Sequence, residues 1–240
     1  MIVVALGVML GGWELIARWS SSVSLPAPTE VVAQMVEDGW VFYGPNVATT
    51  AREAALGFAW GVGIAVAIAL VIVLVPATDG VLSRLVVAIA CVPLLAIGPV
   101  LSIVFAGETP KVVLAALTCL LPVMVGTVAG LRRADRARLD VVRAAGGGAV
   151  DELRRVRVRA GLPDVLAALR IAAPSAVLGA MVGEYLGGER GLGVAMVSAQ
   201  QQLEVARTWG LAVAAALLAG VGYAAVAGLD RWTRPEGVHR

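Results

Sequence analysis

Few residues in this chain of 240 are of a type that does chemistry. One histidine, His239, lies beside the C-terminus, and the two cysteines, Cys91 and Cys119, each sit inside an apolar run. A hydrolytic triad or a His-based zinc site needs a histidine among its partners, which excludes both. Two isolated cysteines form neither a disulfide framework nor a metal set, so both are expected to pack as small hydrophobes. The single lysine, Lys111, follows Pro110. A phosphate-binding G-x-x-x-x-G-K-[ST] loop needs glycine amides and a lysine around the phosphates, and no such run exists here. The chain is therefore expected to hold no cofactor, to lack an ATPase site and to be no enzyme. Gly187-Gly-Glu-Arg-Gly-Leu-Gly193 departs from G-x-G-x-x-G spacing and reads as a turn or short re-entrant segment. Arg52, Glu53, Arg170 and Glu184 stand at the edges of apolar runs. They read as interfacial anchors, because long side chains there reach polar surroundings.

The most informative stretch is 132–163, which is long and polar. Leu139, Val142, Gly146, Val150 and Leu153 recur at three- or four-residue steps, with Arg136, Arg143, Arg154 and Arg155 mostly elsewhere. That spacing predicts short amphipathic helices. Gly146-Gly147-Gly148 falls between them, where each glycine costs about 1 kcal/mol of helix stability relative to alanine. The helix is expected to break and turn there, making a protruding knob whose arginines suit an acidic or mixed-charge protein surface. A solvated basic loop fits the same spacing equally well.

The elements that must carry this loop are set by composition. Hydrophobic residues make up 59% and charged residues 15%, far from the usual soluble balance of roughly half and a quarter. The bilayer is the expected solvent. In lipid every backbone polar group needs an internal partner, so an Ala-, Leu- and Val-rich chain without strand alternation is expected to be an all-α bundle. Six segments approach the roughly 20 apolar residues of a span: 2–19, 54–75, 86–105, 112–131, 165–187 and 208–229. The loops 76–85, 132–163 and 230–240 carry thirteen arginines, whereas the opposite loops carry Arg52, Lys111, Arg190 and Arg207. The positive-inside rule then places both termini and 132–163 in the cytoplasm of a multi-pass plasma-membrane protein. A net charge of +2 suggests no nucleic-acid partner. Pro26 and Pro28 predict an irregular outer linker, and Pro93 and Pro99 permit a kink in the third segment. The pairs Gly57/Gly61 and Gly126/Gly130 and the series Gly179/Gly183/Gly187 favour close helix approach within one bundle. An ion-driven secondary transporter and a membrane scaffold are rival classes for such a bundle.

Asp140-Val-Val-Arg-Ala-Ala-Gly146, followed after nine residues by Val156-Arg-Val158-Arg159, resembles the EAA loop of binding-protein-dependent ABC importer permeases. Asp140 stands for the usual Glu, Val141 and Val142 replace alanines, and Arg159 replaces a proline. Leu25-Pro-Ala-Pro-Thr-Glu-Val31, Gly57-Phe58, Ala160-Gly-Leu-Pro163 and Glu184-Tyr-Leu-Gly-Gly-Glu-Arg-Gly-Leu-Gly193 extend the likeness over nearly the whole chain. They are similar to the nitrate, sulfonate, taurine and pyrimidine-precursor group. The resemblance implies a single six-span permease domain of type I importer fold over 1–240, with a cytoplasmic coupling helix. Asp140, Val142, Arg143, Ala145, Gly146, Gly147, Val150 and Leu153 would then couple it to an ATPase. Its implied partners are two cytoplasmic ABC ATPase subunits, an external solute-binding protein and a second permease copy, expected as a homodimer.

Overall fold

The protein is seen in a computed structural model that describes residues 2–20 and 25–233. Every regular element among them is helical. His239, Arg234 and Arg240 lie outside the described residues.

Helix α1 covers Ile2–Ser20 and α2 covers Pro28–Leu74. The expected irregular linker is thereby reduced, among the described residues, to 25–27. Proline at the first helical position sacrifices no hydrogen bond, and the Glu30 carboxylate accepts from the Ala27 N–H at 3.1 Å, so the helix starts at once. It then runs for 47 residues with one break, at Gly39, where φ is +62°.

The third expected segment is not one straight span. It divides into α3 (Asp79–Ala90) and α4 (Leu94–Val104), which meet at 91°. The cause is Pro93, which lacks an N–H and drives the residue before it out of helical geometry. Pro99 lies inside α4 without ending it. Cys91, expected to pack, is exposed at this break, whereas Cys119 is buried.

Helix α5 (Thr109–Arg132) packs on both α2 and a long helix that begins at Ala149. That helix opens as α7 (Ala149–Glu152), passes one π turn over 153–157, and continues as α8 (Val158–Gly187). Its 39 residues form one rod, roughly 58 Å long at 1.5 Å per residue and so much longer than the ~30 Å hydrocarbon core. Helices α9 (Leu192–Gln201) and α10 (Val205–Thr233) complete the bundle. Among the described residues α2, α5, the 149–187 rod and α10 are long and apolar enough to cross a membrane, and α3 with α4 qualifies as a bent pair.

The repeated glycines pack inside this bundle. A methyl group at Gly61 or Gly179 would strike the backbone of α5, and one at Gly130 would strike the backbone at Gly161 of α8. Ala65, Ala69, Ala115, Cys119, Val123, Ala172, Ala176 and Ala180 fill the core between them. Small side chains let these backbones approach closely enough for dispersion contact to replace the hydrophobic drive that lipid removes.

Candidate functional site

The 132–163 stretch forms the turn between α5 and the rod. Asp135 caps α6 (Arg136–Ala144), its carboxylate accepting from the Ala137 N–H at 3.1 Å. Leu139 is buried against the bundle. The helix ends in a Schellman turn: Gly146 N–H donates to Arg143 O and Gly147 N–H to Val142 O, both at 2.9 Å. Gly146 takes φ +81°, the left-handed conformation expected of a glycine at this corner. Gly147 has a different reason to be glycine, since a Cβ there would lie 2.6 Å from Val142 Cγ1. Gly148 is extended and opens α7.

The second short helix expected in this loop is thus the first turn of the rod. No proline lies between Ala149 and Leu162, and the lone Gly161 does not stop the helix, so helix formation propagates through into α8. Pro163 lies inside α8.

An ion cluster fixes the corner. The Glu152 carboxylate, almost completely buried, accepts from Arg143 Nε at 2.6 Å and from Arg157 Nη2 at 3.2 Å. Arg143 also bridges to Asp140 at 3.2 Å, and Arg157 reaches the Leu131 carbonyl at 3.5 Å. Residue 152 lies about 20 Å of helix before position 165, where the fifth expected span begins. There the Arg143 guanidinium, helped by Arg157, holds the Glu152 carboxyl below its ordinary range against the opposing effect of burial. Charge-assisted bonds of this kind are roughly twice as strong as neutral ones. Beside the corner a cleft of about 510 Å³ is lined by Arg132, Arg136, Leu139, Asp140, Arg143 and Arg157.

The eight residues picked from the sequence divide into three groups. Asp140, Arg143, Ala145, Gly146 and Val150 are exposed, Val142 and Gly147 are half-buried, and Leu153 is turned into the bundle. The exposed apolar tip consists of Val141, Ala144, Ala145 and Val150. Spacing missed Val141, because within α6 the stripe was traced through Leu139 and Val142, which are buried and half-buried. It also missed Glu152, whose only sequence signal is that it is an acid next to the arginine run 154–157.

The expected interfacial anchors are corrected at two positions. Arg52 and Glu53 do not pair: Arg52 bonds to Glu108 at 2.8 Å on the surface, while buried Glu53 bonds to buried Lys111 at 3.2 Å. Successive helix residues point about 100° apart, so neighbours in sequence face different surroundings. Glu184 is likewise buried, with 2% of its surface exposed.

Comparison with known proteins agrees with this architecture. Residues 57–236 match the family described as binding-protein-dependent transport system inner membrane component. The chain is 30% identical to a probable ABC transporter permease protein of Haemophilus influenzae over 202 residues, covering 83% of this chain and 82% of that one. It is 26% identical to the formylaminopyrimidine transport permease protein ThiX of Halalkalibacterium halodurans, over 93% and 90% of the two chains. It is also 26% identical to the putative aliphatic sulfonates transport permease protein SsuC of Bacillus subtilis, over 83% and 72%.

Proposed function

The chain belongs to the binding-protein-dependent transport system inner membrane components, as the permease subunit of an ABC importer, and from that premise we propose that its 136–153 corner is the contact that receives the ATPase stroke. The observation that carries this reading is the continuity of the rod. The apolar tip at Val141, Ala145 and Val150 stands at one end of a helix that runs unbroken to Gly187. The Glu152 cluster fixes α6 to that helix, so a displacement of the tip is delivered to the rod as rotation or translation and not absorbed in a loop. Rigid-body rocking is the motion that such a lever supports.

In this reading the corner and both termini are cytoplasmic, as the arginine distribution supports. Helix α1 is the first of six spans and the bent α3–α4 pair the third. Two copies of the chain, each with a cytoplasmic ATPase, enclose the path, and an external binding protein delivers the solute. The solute is a small compound of the nitrate, sulfonate, taurine or pyrimidine-precursor class. The chain contributes no ATPase chemistry of its own.

The test is co-purification of the ATPase subunits with a Val141→Asp, Val150→Asp double variant. Two carboxylates placed on a desolvated apolar contact each cost several kcal/mol, so the ATPase is expected to be lost while the permease remains in the membrane. Retention of the ATPase at wild-type stoichiometry overturns the assignment.

A further inference from the structure

The glycine-rich run 187–193 has the composition of an anion cradle but the wrong spacing for a phosphate, and its anion is supplied by the chain itself. Glu184 Oε2 accepts from the Gly193 N–H at 2.6 Å, and Glu184 Oε1 accepts from the Thr50 hydroxyl at 2.6 Å. Thr50 Oγ1 in turn accepts from the Leu192 N–H at 2.9 Å, and Asn46 Oδ1 accepts from the Gly191 N–H at 3.2 Å. Three backbone donors at the start of α9, which a helix cannot satisfy itself, thus each meet a side chain from α2 or α8. The carboxylate also sits where the helix dipole favours negative charge.

The glycines fit this arrangement. Gly191 has φ +128°, and a Cβ there would overlap the Glu184 carboxylate. A Cβ at Gly193 would lie 2.9 Å from Glu184 Oε2. Gly191 and Gly193 are shaped around one side chain seven and nine residues before them. The other end of α9 is tied separately: Arg207 at the start of α10 makes a two-oxygen bridge to Asp38 of α2 at 2.7–3.1 Å, bonds to Glu204, and lies 5.4 Å from the Phe42 ring centre.

We propose that Glu184 is a positioning residue for transport, which locks the 188–193 turn and α9 onto α2 so that the far end of the rod, α9 and the 46–50 turn of α2 move as one body. Movement of the rod is then passed to α9 at the end of the bundle opposite the coupling corner. Without the carboxylate, α8 and α9 keep the glycine-rich turn and the bond of the Tyr185 hydroxyl to Met196 Sδ at 2.6 Å, but the first turn of α9 loses its tie to α8.

The test uses spin labels at exposed positions on either side of the lock, Ala48→Cys and Arg190→Cys, in a Cys91→Ser, Cys119→Ala background. In bilayers the labelled permease is expected to give one narrow distance distribution. Glu184→Ala and the near-isosteric Thr50→Val are expected to broaden it. Glu184→Gln should restore much of the narrow peak, because its carbonyl still accepts from Gly193 while the Thr50 hydroxyl can turn to the Asn46 carbonyl, 3.2 Å away. In the assembled complex with ATPase and binding protein, Glu184→Ala should retain basal ATP hydrolysis and lose its stimulation by the binding protein. A narrow distance in both Glu184→Ala and Thr50→Val overturns the lock. Unchanged stimulation in Glu184→Ala, or an equal fall in basal and stimulated rates, overturns its role in transport. The distance measurement needs no ATPase, so its outcome is independent of the coupling-corner assignment.

Discussion

At the residue scale, the three consecutive glycines of the corner are not equivalent. Gly146 is needed for its positive φ, and its Cβ position is open, with no atom within 4 Å. A branched residue there incurs about 1–2 kcal/mol of backbone strain and no clash. Gly147 is needed for space against Val142, and Gly148 meets neither demand. Gly146→Val and Gly147→Val are therefore expected to impair ATPase coupling at near-normal membrane levels, whereas Gly148→Ala leaves it intact. Measurement of ATPase binding by the three variants checks this order, and equal effects at all three would contradict it. Glu152 carries a pH dependence of defined sign. Its carboxyl is held below the ordinary value by Arg143 and Arg157, so its contribution is complete above the unfolded value of about 4.3. It is lost as pH falls through the lower, folded value. Amide protection over 140–157, taken relative to the intrinsic exchange rate at each pH, should hold from neutral pH down to that ordinary value and fall only below it. Glu152→Gln should lower it already at neutral pH.

At the scale of elements, the α5–α8 seam is the most extensive helix contact among the described residues, with Gly130 set against the backbone of Gly161 and Gly126 against Ala168. A Cβ at Gly161 would lie 2.7 Å from the Gly130 carbonyl carbon, and backbone cannot give way as a flexible side chain does. Gly161→Val is expected to destabilise the bundle by roughly 1–3 kcal/mol through overpacking, read as a lower thermal transition in detergent. An unchanged transition would mean that α5 and α8 separate more easily than this seam implies. Replacing Gly146, Gly147 and Gly148 together by alanine acts on a different element. It favours one continuous helix from α6 into the rod, removes the corner and should uncouple the ATPase. Wild-type coupling in that variant would refute the corner as the coupling element.

At the scale of the molecule, the arginine asymmetry predicts the orientation and the missing phosphate loop predicts the energy source. A cysteine at position 148, which is exposed and has room for a side chain, in a background lacking Cys91 and Cys119, should react with an impermeant reagent only once sealed cells are opened. Reaction from outside alone would invert the topology. The purified chain is expected to show no ATP hydrolysis and to acquire it only with its nucleotide-binding partner, because its one lysine is buried against Glu53 and its glycine runs serve a helix corner and an internal carboxylate. Solute uptake by the chain alone, driven by a proton or sodium gradient, would instead support a secondary transporter.

Much of this molecule was legible from composition and local pattern, since both reflect rules that act within a few residues or on average. An apolar, strand-free chain in lipid has only the helix available. A glycine cluster inside an amphipathic pattern marks a corner, and the resemblance through 132–163 implies the role proposed for it. Pro93 announced a break, but its 91° angle depends on what α3 and α4 pack against. Tertiary contact decided the rest. Glu53 and Glu184 read as edge residues and Lys111 as a loop residue, because sequence gives position along the chain and not the direction in which a side chain points. Only the packing of α2, α5, α8 and α9 shows that they face inward. The burial of Glu152, the continuity of 149–187 and the fit of Gly191 and Gly193 around Glu184 likewise depend on atoms distant in sequence or on the absence of a break, neither of which periodicity encodes.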